Sequence, residues 1–334
     1  MAEDRDAWLK TAIEEAIDPG LPICDPHHHL WDYPNSRYLL DELLRDTGSG
    51  HNVVSTVFVE CAAMYRQAGP VAMQPVGETE FVQGIAAQSA SGQYGPTQVA
   101  AGIVGFADLG LGEAVAGVLE AHLAASRNRF RGVRHATAWD GSPDIRNAHT
   151  HPPAGFLGDA AFRRGFDVLQ RMGLSFDAWL YYPQLPELAE LARAFPEATI
   201  ILDHVGGVLG IGPYAGRRDE IFEIWKRSMA DLASCPNVVV KLGGLAMSMC
   251  GFGWHRLEQP PSSTELAAAM APYYRYCIEQ FGVHRCMFES NFPVDKVSCS
   301  YTLLWNAFKR ITEDFSSDER AALFHDTAAR IYRV

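Results

Sequence analysis

The chain has 334 residues, of which 48% are hydrophobic and 20% are charged, and this ordinary globular composition excludes disorder, collagen-like repeats and coiled coils. The formal net charge of −12 repels phosphate backbones, and no apolar run is long enough to span a membrane. We therefore expect neither a nucleic acid nor a membrane as partner, but a small molecule. The acidic start lacks the basic segment of a signal peptide, so we expect a cytoplasmic protein. The sequence is compatible with assembly into a homo-oligomer.

An N-terminal helix, predicted at about residues 4–17, is followed by eight short β-branched runs that alternate with longer amphipathic stretches. The predicted strands are residues 21–25, 53–60, 98–106, 130–135, 175–178, 199–204, 238–242 and 286–289. Most are apolar on both faces, which is typical of parallel strands covered by helices. The alternation predicts one α/β domain over residues 1–334, a (β/α)8 TIM barrel with the N-terminal helix packed outside. An open doubly wound sheet is less favoured, because no glycine-rich phosphate loop follows the first strand.

A histidine cluster follows the first predicted strand, in the order Asp25-Pro26-His27-His28-His29. Side chains alternate along an extended chain, so we expect His27 and His29 to point together into the barrel mouth while His28 faces away. Such a pair can hold a divalent metal or, without metal, can supply imidazoles for proton transfer. The alternative is a polar tripeptide in a turn.

Polar side chains also end the fourth, fifth and seventh predicted strands, and a barrel brings these ends to one mouth. Arg134 fits the recognition of a carboxylate or of a polarised carbonyl oxygen, and its structural alternative is an ion pair with a carboxylate such as Asp177 or Asp203. Asp177 and Lys241 can complete a polar ring that binds substrate, or can serve the structure alone.

The sixth and eighth predicted strands end in further candidates for acid–base chemistry. His204 ends the sixth strand before paired glycines, a position that favours catalysis over a core histidine. Alternation places Glu289 and Asn291 on one face of the eighth strand, with Glu289 one layer deeper. Glu289 can act as a general base, as a metal ligand or as the counter-ion of the histidines.

Three tryptophans, Trp31, Trp139 and Trp179, lie in segments that follow strands and would surround the mouth of a barrel. Indole rings supply large apolar contact surfaces with one polar edge. We predict that these residues line a pocket for a partly apolar or aromatic substrate.

Taken together, five motifs resemble the amidohydrolase-related (amidohydrolase 2) family, in the branch that contains L-fuconolactonase, 4-sulfomuconolactone hydrolase and 2-pyrone-4,6-dicarboxylate lactonase. The motifs are DPHHHLWD, RGVRH, FPEATIILDHVGG, NVVVKLGGL and MFESNFPVD. The resemblance implies a TIM-barrel hydrolase that opens a lactone or related ester. By position it matches His27 and His29 to the family's first-strand pair, Arg134 to its substrate-orienting arginine, and His204 to its sixth-strand histidine.

The main departure from the family lies at the eighth strand, where GSDWP is usual and this chain has ESNFP. The resemblance implies that the usual aspartate binds metal in metal-dependent members and activates water in metal-free lactonases. Asn291 stands at its place, and an amide has neither the charge nor the basicity for these roles. Glu289 replaces the glycine two residues earlier and brings a carboxylate to the same face. Both residues are kept as catalytic candidates.

These observations predict a hydrolase that uses water on a lactone or carboxylic ester and requires no cofactor. Arg134 would orient the substrate carbonyl, His204 or Glu289 would take the proton of the water, and His27 and His29 would position the water and the oxyanion. The alternative is a metal-dependent amidohydrolase or decarboxylase, with one Zn or Mn ion on His27, His29, His204 and Glu289. A third hypothesis is a barrel without catalytic activity that functions only in binding.

Overall fold

The structure is a computed structural model that describes residues 2–334. Within them, eight parallel strands follow one another around a TIM barrel in chain order, as predicted. The strands are β1 (Pro22–His28), β2 (Asn52–Val59), β3 (Gln98–Gly105), β4 (Phe130–Val133), β5 (Ser175–Ala178), β6 (Ile200–Leu202), β7 (Val238–Leu242) and β8 (Cys286–Phe288). A parallel bridge between His28 and Phe292 joins the segment after β8 to β1 and brings the two ends of the sheet together.

Helices cover the outside of the barrel. They are α1 (Ala2–Leu9), α2 (Leu40–Thr47), α3 (Val76–Ser89), α4 (Val115–Ala125), α5 (Ala160–Arg171), α6 (Leu185–Ala194), α7 (Arg218–Ala233), α8 (Ser263–Phe281), α9 (Tyr301–Ile311) and a C-terminal series, Ser317–Ala321, the π-helical Ala322–Asp326 and Thr327–Tyr332. A short antiparallel hairpin pairs Trp31–Tyr33 with Ser36–Tyr38 beside the mouth. In residues 2–334, no helix is long and apolar enough to cross a membrane.

The fit between helix and strand is illustrated by α5. The Asp159 carboxylate accepts hydrogen bonds from two backbone N–H groups of the first turn and caps the helix. Phe162 and Phe166, four residues apart, are both buried on the same face and pack against Phe176 of β5. The helix stops before Gly173, which has a φ of 68°. Local sequence signals are thus sufficient to place this element.

The N-terminal helix is shorter than predicted over residues 4–17, because α1 covers only the first part of that range. The segment after α1 instead runs along α8 and α9 and is held by side chains. The Ile17 N–H donates to Asn306 Oδ1 at 2.8 Å, and Lys309 Nζ donates to the Ile17 carbonyl at 2.8 Å. Asn306 also donates to the Glu14 carboxylate at 3.1 Å. These tertiary bonds use backbone groups that a longer helix would need for itself.

The strands β4 and β5 approach each other closely at Gly132, and the variant Gly132→Ala tests this contact. A Cβ atom there would lie 2.6 Å from the Ser175 carbonyl oxygen, which cannot withdraw without separating the strands. We expect a loss of about 2 kcal/mol or more in the free energy of unfolding. The matched control is Gly84→Ala on the exposed side of α3, where no atom lies within 4 Å, and it should stabilise the protein by about 0.5–1 kcal/mol. Urea unfolding measures both, and equal midpoints would contradict the prediction.

Candidate active site

Beneath the barrel mouth lies a buried ionic cluster built around Lys241 of β7. Its ammonium donates to Asp177 Oδ2 at 2.7 Å and lies 3.0 Å from Asp203 Oδ1. Burial alone would lower the pKa of Lys241, but the Asp177 and Asp203 carboxylates outweigh it and raise the pKa to about 12. Tyr332 from the C-terminal helix donates its hydroxyl to Asp177. Substrate contacts were predicted for Asp177 and Lys241, but both are fully buried below the mouth and bind each other instead.

His27 lies directly above this cluster and is also fully buried. Its Nδ1 atom is 2.9 Å from Glu289 Oε2, 3.1 Å from Lys241 Nζ and 3.6 Å from Asp203 Oδ1. Burial and the Lys241 ammonium lower the pKa of His27, which favours a neutral ring. Glu289 Oε2 is the nearest of the three atoms to Nδ1 and, as an acceptor, favours a proton there, which leaves the lone pair on Nε2, the atom that faces His29.

His29 meets His27 at the floor of the mouth, as the alternation of side chains predicts. His29 Nδ1 donates to the Val59 carbonyl at 2.8 Å, which leaves its Nε2 unprotonated and 3.3 Å from His27 Nε2. His28 faces away and lies within 2.9 Å of the Thr56 hydroxyl. Two converging lone pairs repel unless a cation, either a proton or a metal ion, lies between them.

The donor atoms fit a divalent metal ion. Two imidazole ligands of a tetrahedral zinc, at bond lengths of about 2.0–2.1 Å, are about 3.3–3.4 Å apart, as the two Nε2 atoms are. The second nitrogen of each ring is hydrogen-bonded, which is usual for metal-binding histidines. Ligand atoms of His27, His204 and Glu289 also lie within 4.8 Å of one another. The site is therefore a candidate metal site.

Glu289 joins His27 to His204. Its Oε1 atom accepts from His204 Nδ1 at 2.6 Å and from the His204 backbone N–H at 3.1 Å, while Oε2 faces His27. Burial would raise the pKa of Glu289, but His204 and His27 outweigh it and lower the pKa to about 2. Both carboxylate oxygens are thus committed to imidazoles and neither lines the mouth. His204 does line it, with its Nε2 edge free of the carboxylate.

The backbone that carries His204 is strained. All four residues of the turn His204–Gly207 have positive φ, with 55° at His204 and 48° at Val205. Left-handed conformations of non-glycine residues cost about 1–2 kcal/mol each. Trp225 of α7 donates its indole N–H to the Val205 carbonyl at 2.8 Å, and Gly244 leaves room for the His204 ring, because a Cβ there would lie 2.6 Å from His204 Cγ. The turn is held from two sides.

Arg134 reaches the same floor from the end of β4. Its Nε donates to Glu60 Oε1 at 2.8 Å and its Nη2 donates to the Glu60 carbonyl, while Nη1 lies 3.4 Å from His27 Nε2. Burial would raise the pKa of Glu60, but Arg134 and His149 outweigh it and lower the pKa to about 2. Glu60 is the main partner, and Asp203, one of the two predicted, is 3.6 Å from Nη1. Sequence reasoning missed Glu60, although a carboxylate that ends an apolar strand was its signal.

Asn291 lies where the chain leaves β8 and lines the mouth. It has a φ of 53°, and its side-chain amide donates to Asp295 Oδ1 at 2.8 Å. Asp295 is fully buried, and burial raises its pKa to about 7 although His204 opposes the shift. Asp295 was not among the predicted site residues, because its position relative to Asn291 depends on the turn after β8.

Above these residues opens a cleft of about 620 Å³. His29, Arg134, His204 and Asn291 form its polar floor. Its walls are apolar over the larger part of their surface, with Trp31, Trp179, Ile211, Met247, Met249 and Val294, and they also carry the polar residues Asp144, Arg146, Asn147, His149 and Ser248. The prediction that Trp139 lines the pocket is not met. The ring of Trp139 turns toward Gly141 in its own loop, and its backbone N–H is bound by Gln184.

The role of Trp225 in holding the strained turn is testable with Trp225→Phe. Loss of the indole N–H should cost about 1–2 kcal/mol of stability and shift the downfield proton resonance of His204 Nδ1, because the turn can relax. Trp305→Phe is the control, since Trp305 is equally buried and its indole N–H has no hydrogen-bond partner in residues 2–334. Proton NMR and thermal unfolding measure the effects. An unchanged His204 resonance in Trp225→Phe would contradict this role.

Comparison with known proteins identifies relatives along almost the whole chain. The sequence profile of the family described as Amidohydrolase matches residues 24–334. The chain is 36% identical to the uncharacterized protein y4mH of Sinorhizobium fredii, over 94% of this chain and 99% of the relative. It is 28% identical to L-fucono-1,5-lactonase of Burkholderia multivorans, over 93% of this chain and 95% of the relative.

A solved structure is similar over the same extent. The crystal structure of an amidohydrolase from Burkholderia multivorans with bound zinc superposes with a TM-score of 0.70 at 26% identity, covering 93% of this chain and 99% of the other. These matches confirm the family resemblance that the five motifs indicated.

Proposed function

Because the chain belongs to the amidohydrolase family, we propose that it is a hydrolase that opens a lactone or a related carboxylic ester by attack of water. The observation that carries the proposal is the His204–Glu289 pair. An ionised, buried carboxylate 2.6 Å from Nδ1 orients the imidazole and leaves its other nitrogen toward a cleft. This is the arrangement of a general base with its orienting partner. The similarity to lactonases supports an ester as substrate.

In the proposed reaction, a water molecule attacks the carbonyl carbon while His204 Nε2 takes its proton. Glu289 stabilises the imidazolium that forms, since its negative charge lies against the opposite ring nitrogen. When the tetrahedral intermediate collapses, the bond from the acyl carbon to the ring oxygen breaks. His204 returns the proton to that oxygen, and the products are a carboxyl group and a hydroxyl group on one molecule.

Arg134 is the proposed electrophile. Glu60 binds its Nε and Nη2, so the guanidinium plane is fixed, and Nη1, which lies 3.4 Å from His27 Nε2, is the nitrogen that would contact the substrate. A donor that is already oriented stabilises the developing oxyanion without reorganisation. The apolar walls reduce the local dielectric and strengthen this interaction.

We propose further that turnover does not require a metal ion. His27 and His29 are the residues that would hold one, and a bound divalent ion would supply Lewis-acid polarisation and a more acidic water. Asn291 contributes no negative charge to offset such an ion, and the Arg134 cation already lies 3.4 Å from His27 Nε2. His204 and Arg134 together provide the base and the electrophile that a lactone needs.

The second candidate function is a metal-dependent amidohydrolase or decarboxylase on the same barrel. One observation favours it, the 3.3 Å separation of the Nε2 atoms of His27 and His29, which matches two ligands of one ion. The zinc in the related crystal structure also supports it.

The cleft favours a partly apolar substrate. Its walls carry two indoles, Trp31 and Trp179, and the methionines Met247 and Met249, which suit an aryl or alkyl group better than a ring with many hydroxyls. An aromatic or alkyl-substituted lactone or ester is the substrate class that we propose. A cytoplasmic location also remains a prediction.

A panel of lactones and aryl esters tests the reaction and its metal requirement in one preparation. We expect turnover of at least one apolar lactone or ester, and we expect kcat to stay within about threefold after treatment with a chelator, because the base and the electrophile are protein side chains. Elemental analysis before and after chelation measures the metal content. A stoichiometric metal whose removal abolishes turnover would establish the second candidate. Inactivity toward the whole panel would favour a barrel that only binds.

The variants His204→Asn and Glu289→Gln distinguish the role of the general base from that of its orienting partner. His204→Asn should lower kcat by at least about 10²-fold, the usual effect of losing a general base, and Glu289→Gln by at least about tenfold, because the imidazolium loses its counter-charge. The control is Glu78→Gln. Burial and the nearby Glu60 raise the pKa of Glu78 to about 8, so this carboxyl is mostly protonated at neutral pH and its replacement should change kcat by less than about twofold. Wild-type kcat in His204→Asn would refute the assignment of the base.

A further inference from the structure

Asn291 is held at the floor of the cleft by its own backbone. Its N–H donates to the His27 carbonyl at 2.9 Å, and its carbonyl accepts from the Asp295 N–H at 3.1 Å. The left-handed φ of 53° turns the chain sharply at this point. The backbone of Asn291 is therefore fixed beside the segment that carries His27.

The orientation of the Asn291 amide is decided by Asp295. The amide nitrogen donates to Asp295 Oδ1 at 2.8 Å, and the other oxygen of Asp295 accepts from the Ala246 N–H at 3.3 Å. The amide oxygen of Asn291 therefore points the other way. It is buried, and it has no hydrogen-bond partner within the part of the chain that the structure describes. An acceptor left in this state costs about 1–3 kcal/mol, so a donor inside the cleft is expected to bind it.

A second acceptor belongs to His204, which lines the same cleft as Asn291. His204 Nδ1 is used by Glu289, so His204 Nε2 is the nitrogen with a free lone pair. Water is the molecule that can donate to both acceptors at once and still present a lone pair for attack. We propose that Asn291 Oδ1 and His204 Nε2 together hold the attacking water, so that Asn291 is a catalytic residue and Asp295 a positioning residue. This inference rests on the proposed function.

The same geometry explains why an amide stands at position 291. A carboxylate there would face the Asp295 carboxylate across 2.8 Å, and two carboxylates at that distance cannot both be ionised. Asn291 and Asp295 form a donor–acceptor pair that can be reversed. In the N291D/D295N variant, the amide at position 295 donates to the carboxylate at position 291, and its oxygen still accepts from the Ala246 N–H. Every hydrogen bond of the pair is kept, and an oxygen still occupies the place of Asn291 Oδ1.

The kinetic experiment compares the N291D/D295N variant with each single variant and uses the best substrate of the panel. N291D and D295N should each lower kcat at least about tenfold, with KM changed by less than about threefold, because the water is misplaced while the substrate contacts remain. N291D/D295N should recover at least about tenfold in kcat over the less active single variant. An exchange variant that stays as inactive as that single variant, although it melts at the wild-type temperature, overturns the proposal.

N306D is the matched control. Asn306 is also a fully buried amide that donates to a carboxylate, that of Glu14 at 3.1 Å, but it lies on α9 outside the cleft. The same chemical change should lower the melting temperature and leave kcat and KM at the wild-type values. A loss of kcat in N306D as large as in N291D would show a general effect of a buried charge and would overturn the proposal.

A measurement that needs no turnover separates this inference from the proposed function. A crystal structure of the wild-type protein at a resolution that shows ordered water should contain a water within about 2.7–3.2 Å of both Asn291 Oδ1 and His204 Nε2. In D295N this water should be displaced. If the water is present but no compound of the panel is hydrolysed, the result would support the inference and contradict the proposed lactonase activity. Hydrolysis without a water that bridges the two atoms would overturn the inference alone.

Discussion

The carboxylate of Glu289 is the charge on which the rest of the site depends. It is fully buried, and it survives there because one oxygen receives two N–H groups of His204 while the other lies against His27. Each hydrogen bond fixes which ring nitrogen carries a proton, and therefore which nitrogen turns toward the cleft. The main chain makes room for this side chain at Gly243, where a Cβ atom would collide with Glu289 Cγ.

The charges beneath the cleft are arranged so that each cation meets more than one carboxylate. Lys241 is shared by Asp177 and Asp203, and Arg134 lies between Glu60 and Asp203. Burial would raise the pKa of Asp203, but Lys241 and His27 together outweigh it and hold the pKa well below the ordinary range. Because such charges are costly to bury unless they are paired, each group is held against its partners. These ion pairs keep the guanidinium in position beside the two converging imidazoles.

Two residues that line the cleft have strained backbones. His204 and Asn291 both adopt left-handed conformations that side chains normally avoid. In each case the surrounding structure compensates. The indole of Trp225 binds the carbonyl next to His204, and Asp295 binds the amide of Asn291. The left-handed turns direct these side chains toward the cleft. In an extended strand, by contrast, successive side chains would alternate between the two faces of the sheet.

The sequence by itself determined the barrel and the residues at its strand ends. Short β-branched runs, most of them apolar on both faces, and the amphipathic stretches between them are local patterns, and they were sufficient to predict the eight strands. The side chains of His27, His29, Arg134 and His204 could be placed at the mouth because the carboxyl ends of parallel strands meet there. The shortened N-terminal helix is the exception, since tertiary bonds to α8 and α9 outweigh its local propensity.

Only the tertiary structure decided how these side chains are paired. Arg134 and Glu60 are 74 residues apart, and Glu289 is 85 residues from His204, so no local pattern contains either contact. Whether a polar residue lies in the cleft or beneath it depends on its depth along the barrel axis. The alternation of side chains along a strand does not encode this depth. For this reason Lys241 was expected at the substrate and is found in the buried cluster. Charge pairing depends on distance in space, and distance is set by the packing of the whole barrel.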